Sequence, residues 1–135
     1  MAASVRDVVE AIKAGPIAQV GLRGWSFVPG SAEVPAAIVL PPEVAYEGLA
    51  DNVLEMQITV VVLISASVDK HQLRLLEFMD DLGPGSLPSA FHADPSLGLD
   101  GVSAHVLRAY PLNFEQQAAY QAYGAAFEVK VYLRA

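Results

Sequence analysis

The segment Tyr123-Gly-Ala-Ala-Phe-Glu-Val-Lys-Val-Tyr-Leu133 decides the fold class of this chain. From Phe127 onward, apolar residues alternate with Glu128, Lys130 and Tyr132. Because successive side chains of a strand point to opposite faces, this alternation predicts a strand with one buried and one solvated face. We expect it to form an antiparallel hairpin with a strand from about Val102 to Tyr110.

A longer strand pattern runs from Asn52 to Ser65. Its even positions are apolar from Leu54 onward, whereas its odd positions begin polar and turn apolar at Val61 and Leu63. The pattern predicts one face buried throughout and a second face buried only at its end. At about 3.3 Å per residue such a strand reaches on the order of 45 Å, so we expect it to project past the sheet or to bend at a bulge.

Three stretches have helical spacing. The first is capped by Ser4 and should end at Gly15-Pro16, with a core stripe of Val5, Val8, Val9 and Ile12. The second is capped by Ser67 and should end at Gly83, with a core stripe of Val68, Leu75, Leu76, Met79 and Leu82. The third should run from Leu87 to Ala93 after the cap Ser86.

These elements, with a short strand from Ala36 to Leu40, predict one α+β domain over residues 1–135. We expect a mostly antiparallel sheet with two to three helices packed on one face.

The composition favours an oligomer. A hydrophobic fraction of 53% is high for a soluble monomer, so part of the apolar surface should contact a partner chain. No apolar run approaches the roughly 20 residues that span a bilayer, and the first residues lack the apolar core of a signal peptide. We therefore expect a soluble, unprocessed protein with no membrane partner. The absence of cysteine excludes disulfides and thiolate metal sites.

The charge distribution argues against DNA binding. The formal net charge is −7, and no Lys or Arg occurs between Arg23 and Lys70, although several acids do. A phosphate backbone is not attracted to such a chain.

The sequence contains no motif that predicts catalysis, a cofactor or a metal. His71, His92 and His105 lack metal-ligand spacing, so solvated or capping roles are expected. Asp80 and Asp81 are unsuited to act together as acid and base because adjacent helical residues point about 100° apart. They are interpreted either as solvated acids at a helix end or as a salt-bridge patch toward a neighbouring subunit.

The order and spacing of several segments resemble those of tail terminator proteins from bacteriophages with long, non-contractile tails. The resemblance extends from about Val34 to Leu133. It comprises Pro35-Ala-Ala-Ile-Val-Leu-Pro-Pro42, the strand Leu54 to Ile64, His71-Gln72-Leu73, Gly83-Pro84, Ala90 to Gly98 and the closing segment.

The resemblance implies a structural virion protein, made in the host cytoplasm, that forms a hexameric ring at the head-proximal end of the tail. Its partners would be further copies of itself, the tail tube protein and the head-completion proteins, and genomic DNA would pass through the lumen without specific binding. Alternatives are another neck or head-closure subunit, a tail tube subunit, or a small ligand-binding or enzymatic α+β domain.

Within this interpretation, two sets of residues are predicted to be functional. Glu43, Glu47, Asp51 and Glu55 would face the ring lumen, since no Lys or Arg in the same stretch neutralises them; the alternative is that they are ordinary solvated loop acids. Contacts between subunits would be built from the long strand and its flanking loops, with Gln57, Thr59, Asp80 and Asp81 as candidate contacts.

Overall fold

A computed structural model describes residues 3–25, 36–46, 52–65, 69–113 and 122–134. Within these ranges the chain forms a six-stranded sheet and three α-helices. The helices pack on one face of the sheet, and the pairing is antiparallel except between the first two strands. The predicted α+β class is confirmed.

The first helix, α1 (Val5–Ile12), begins with a capping box. Asp7 N–H donates to Ser4 Oγ over 3.1 Å, and Ser4 N–H donates to Asp7 Oδ2 over 2.9 Å. The hydrogen bond from the Ser4 N–H to the carboxylate, followed by the Ser4 side chain, lowers the pKa of Asp7 because it favours the charged form. Of the predicted core stripe of this helix, Val8 and Ile12 are buried, and Val5 and Val9 are partly buried beside them.

The prediction that this helix ends at Gly15-Pro16 is wrong. The chain continues as a π-helical segment over Lys13–Ile17, with Pro16 inside it. In an α-helix the proline ring would clash with the carbonyl four residues earlier, and the wider π turn relieves that clash. Pro16 and Ile17 are both buried, so packing against the core holds the segment in place.

The strands are β1 (Arg23–Trp25), β2 (Ala36–Val39), β3 (Glu43–Ala45), β4 (Val53–Ser65), β5 (Val102–Asn113) and β6 (Ala122–Arg134). They are ordered β1-β2-β4-β6-β5, and β3 also pairs with β4. The β5–β6 hairpin is the one predicted from the closing segment.

The long strand β4 does not project from the sheet, so that prediction is wrong. β6 pairs with it along its whole length, from Val53 opposite Arg134 to Ser65 opposite Ala122. On its other side β4 pairs with β2 and β3 in turn. A long strand needs no projection when its neighbour is equally long. The irregularity occurs instead in β5, where the register shifts between Val106 and Arg108.

The core lies between the helices and one face of the sheet. It contains the even positions of β4 and the odd positions of β6, as predicted from their alternation. On the other face, Val61 and Leu63 are buried, whereas Glu55, Gln57 and Thr59 are half-buried. The predicted change from a polar to a buried second face along β4 is therefore confirmed.

The second helix, α2 (Asp69–Met79), differs in part from its prediction. The predicted cap Ser67 and stripe residue Val68 lie outside the described residues. Leu75 is buried and Met79 partly buried, but Phe78 is fully buried where the prediction had Leu76. Leu76 and Leu82 are 64% and 74% exposed, so their placement in the core is wrong.

The reason lies in where α2 ends. The helix stops at Met79, so Leu82 has no helical position from which to reach the core. Leu75, Phe78 and Met79 are spaced i, i+3, i+4 and share one inward stripe, which turns Leu76 outward. Asp80 and Asp81 consequently lie just beyond the helix and not in its last turn.

The third helix, α3 (Leu87–Ala93), has the predicted bounds and cap. Ser86 Oγ accepts a hydrogen bond from Ser89 N–H over 3.1 Å and donates one to the Asp80 carbonyl. This hydroxyl joins the end of α2 to the start of α3, and Leu87 and Phe91 then anchor α3 in the core.

Candidate interaction face

The sheet face opposite the helices gathers four of the predicted site residues. We call it the helix-free face: the outward side chains of β3 and β4 together with those of β5 and β6 beside them. Glu43 lies opposite Gln57, and Ala45 lies opposite Glu55. Because residues two apart on a strand share a face, Glu43, Glu55, Gln57 and Thr59 all lie on this side.

Glu55 has a basic partner on this face. Lys130 Nζ lies 3.1 Å from Glu55 Oε2. The expectation that Glu55 carries an unneutralised charge is therefore wrong: its own stretch of chain lacks Lys and Arg, but the β4–β6 pairing brings a lysine from far along the sequence. Glu43 is exposed, and no ion pair within the described part of the chain includes it.

A second ion pair crosses from β5 to β6. Arg108 donates to both carboxylate oxygens of Glu128, over 2.7 Å from Nε and 2.9 Å from the terminal nitrogen. This two-pronged hydrogen bonding lowers the pKa of Glu128 and raises the pKa of Arg108, since it favours the charged form of each. The Arg108 guanidinium also lies 5.1 Å from the centre of the Tyr110 ring.

The helix-free face is divided into a polar and an apolar part. Thr59 lies opposite Glu128, and the next outward residue, Val61, lies opposite Ala126 and Ile38. Ile38, Val61 and Leu63 form a second buried cluster, to which the described helices contribute nothing. The polar part of this face therefore ends at a buried apolar cluster.

The remaining predicted site residues lie elsewhere. Glu47 and Asp51 fall outside the described residues. Asp80 and Asp81 follow α2, on the helical side of the molecule, so the four candidate contacts are split between two places. Asp80 Oδ1 accepts a hydrogen bond from the Asp81 N–H over 2.8 Å.

Asp81 lines a cavity between α3 and β5. The cavity measures about 210 Å³, and its other lining residues are Pro88, Phe91, His92, His105 and Val106. Sequence reasoning treated Asp81, His92 and His105 separately, because their proximity depends on how α3 packs beside β5. Among the described residues, no group of three or more His, Cys, Asp or Glu has an arrangement that could hold a metal ion.

Other features of the surface were also missed. The leucines Leu73, Leu76 and Leu82 are exposed on and after α2. The alternation of the closing segment had placed Glu128 and Lys130 on an outward face, but it contained no signal for their partners.

In the part of the chain that the structure describes, no helix has both the length and the apolar character needed to cross a membrane.

No protein-family model matches the chain, and no curated protein sequence matches it.

Proposed function

We propose that this chain is a tail terminator: a structural subunit that forms a six-membered ring at the head-proximal end of a phage tail tube. Two things support this proposal: the resemblance of the sequence segments to those of tail terminator proteins, and one geometric observation. Glu43, predicted as a lumen residue, lies beside Glu55, Gln57 and Thr59 on the sheet face that the described helices leave free.

Two unlike surfaces on opposite sides of the sheet support a head-to-tail ring. One is the polar part of the helix-free face. The other is the outer side of α2 and the turn after it, where Leu73, Leu76 and Leu82 are 65%, 64% and 74% exposed. A ring built from one kind of subunit needs two different, complementary patches on each copy, whereas a two-fold dimer needs one patch that matches itself.

The contact from β4 would be made by side chains. β6 pairs with β4 along its whole length, and β2 and β3 pair with most of its other side. The backbone hydrogen-bonding groups of β4 are therefore not available to a second subunit. The outward residues Gln57 and Thr59 remain half-buried and can meet a partner. The ring would act sterically: one of its faces copies the contact of the tube, and the other does not, so that no further layer is added.

The acids are proposed to repel DNA from the ring lumen. Because Glu55 is paired with Lys130, the proposal rests on Glu43, Glu47 and Asp51. Repeated around a ring, these charges would make a negative collar that a polyanion passes without binding.

The gene's deletion distinguishes the proposed function from its alternatives. In phage lacking this protein, we expect tails of uncontrolled length, because nothing ends tube polymerisation; tail lengths would be measured in negative-stain images. Absence of tails would indicate a tube subunit. Tails of normal length that fail to join heads would indicate a head-closure protein, and both outcomes would contradict the terminator proposal.

A triple exchange tests the collar. Replacing Glu43, Glu47 and Asp51 by lysine, with Glu55 retained for its pair with Lys130, should slow genome ejection from the virions that assemble, because the lysines attract DNA. Ejection would be followed by DNA release from purified virions. The matched control is a variant with three neutral glutamine or asparagine residues at the same positions, which should eject at nearly the normal rate. Normal ejection by the lysine variant would mean that these acids are only solubilising.

A further inference from the structure

The cavity between α3 and β5 lies at the edge of the sheet and has properties that suit a protein ligand. We propose that it binds a short extended segment of another protein and holds one Lys or Arg side chain of that segment against Asp81. The inference goes beyond the proposed function and does not depend on a ring.

The size and lining of the cavity fit a single long side chain. At about 210 Å³ it is smaller than the roughly 300–1,000 Å³ of typical small-molecule sites. Its apolar wall is formed by Pro88, Phe91 and Val106, and its polar groups include Asp81 and His92; His105 borders it from the edge strand, opposite Lys130. The aliphatic stem of a lysine or arginine packs against an apolar wall while its charged end reaches a polar rim.

The charge of the cavity selects a cation. Asp81 is exposed, and it takes part in no ion pair formed by the described residues. Two basic side chains on α2 and β5 are engaged elsewhere: Arg74 donates to the Val20 carbonyl, and Arg108 pairs with Glu128. An acidic side chain would be repelled both by Asp81 and by the net charge of −7.

The backbone beside the cavity can pair with an extended segment. β5 is the last strand of the sheet, and Ala104 N–H points away from β6 to the Pro95 carbonyl, 2.7 Å away. Along an antiparallel strand, the backbone N–H and C=O groups of every second residue point away from the paired strand. Val106 is two residues from Ala104, so its N–H and C=O also point away from β6. Within the described ranges, no residue bonds to them.

The same edge limits the length of the partner. The register shift after Val106 and the missing N–H of Pro111 interrupt regular pairing further along β5. A short extended segment fits beside Val106, whereas a long strand does not.

Selection from a library of random short peptides displayed on phage tests the proposal. We expect peptides with Lys or Arg at one fixed position to be enriched on the wild-type protein and lost on Asp81→Lys. Asp100→Lys is the matched control, because Asp100 is an exposed acid that does not line the cavity; it should enrich the same peptides as wild type. Failure to enrich a basic position, or equal enrichment on Asp81→Lys, would overturn the proposal.

A titration of the best enriched peptide locates the contact. Its basic residue would be replaced by neutral citrulline if it is arginine or by norleucine if it is lysine, and binding would be followed through the amide NMR shifts of the protein. We expect affinity to fall about tenfold with the neutral peptide and with Asp81→Asn, and shifts to centre on Phe91, His92 and Val106. Unchanged affinity, or shifts confined to the helix-free face, would refute the assignment.

Discussion

Replacing Gly124 by alanine should destabilise the protein through one close contact between β4 and β6. A Cβ at position 124 would lie 1.7 Å from the Val62 carbonyl oxygen. Since carbon and oxygen in such contacts are ordinarily about 3.3–3.6 Å apart, the strands would have to separate by roughly 1.5 Å at this point. The separation disturbs the pairing of the two strands that each contribute more residues to the core than any other element.

The expected cost follows from two contributions. Forcing an extra methyl group into a packed site costs about 1–3 kcal/mol, and each hydrogen bond weakened by the separation adds about 1 kcal/mol. We therefore expect Gly124→Ala to lose about 2–4 kcal/mol and to lower the melting temperature by roughly 10 °C. Circular dichroism on heating and urea titration would measure both quantities.

Gly15→Ala is the matched control. Gly15 lies in the π-helical segment after α1, and a Cβ there has no atom within 4 Å. Alanine should stabilise a helical position by about 0.5–1 kcal/mol, which is the opposite sign. If Gly124→Ala melts at the wild-type temperature, the close approach of β4 and β6 is wrong, and so is the arrangement of residues on the helix-free face.

Further predictions concern the core, the ion pair and DNA. Phe78→Ala should cost about 3–5 kcal/mol in urea unfolding, whereas Leu76→Ala should change stability by less than about 0.5 kcal/mol; equal losses would contradict the inward stripe of α2. The lowered pKa of Glu128 means that its pairing with Arg108 contributes fully above the ordinary pKa of 4.5 and is lost as pH falls through the folded-state value. The stability difference between wild type and Glu128→Gln should therefore shrink on acidification, and a difference that does not vary with pH would refute this. Gel-shift assays at low salt should show no submicromolar affinity for duplex DNA, because a chain of net charge −7 repels phosphate. A shifted DNA band at submicromolar protein concentration would contradict this prediction.

The strands could be predicted because alternation and burial have the same physical origin. A strand buried on one face needs an apolar residue at every second position, and β4 and β6 satisfy this along most of their length. The outward placement of Glu55, Gln57 and Thr59 followed directly from that period. The position of Glu43 on the same face did not, because it depends on the pairing of β3 with β4.

The errors occurred where several local arrangements were compatible with one pattern. Leu76 and Phe78 are both apolar, and only the packing of α2 on the sheet decides which of them is buried. Pro16 is a usual helix terminator, yet a π turn carries the chain past it. The Glu55–Lys130 pair and the cavity beside β5 depend on contacts between distant parts of the chain, for which local spacing contains no signal.

A reconstruction of the head-proximal end of the tail, in virions that carry this protein, tests the central claim most directly. The account predicts six copies in a single ring, with the polar part of the helix-free face and the leucines of α2 lying at subunit boundaries. One isolated copy, a dimer, or copies repeated along the tube would contradict it.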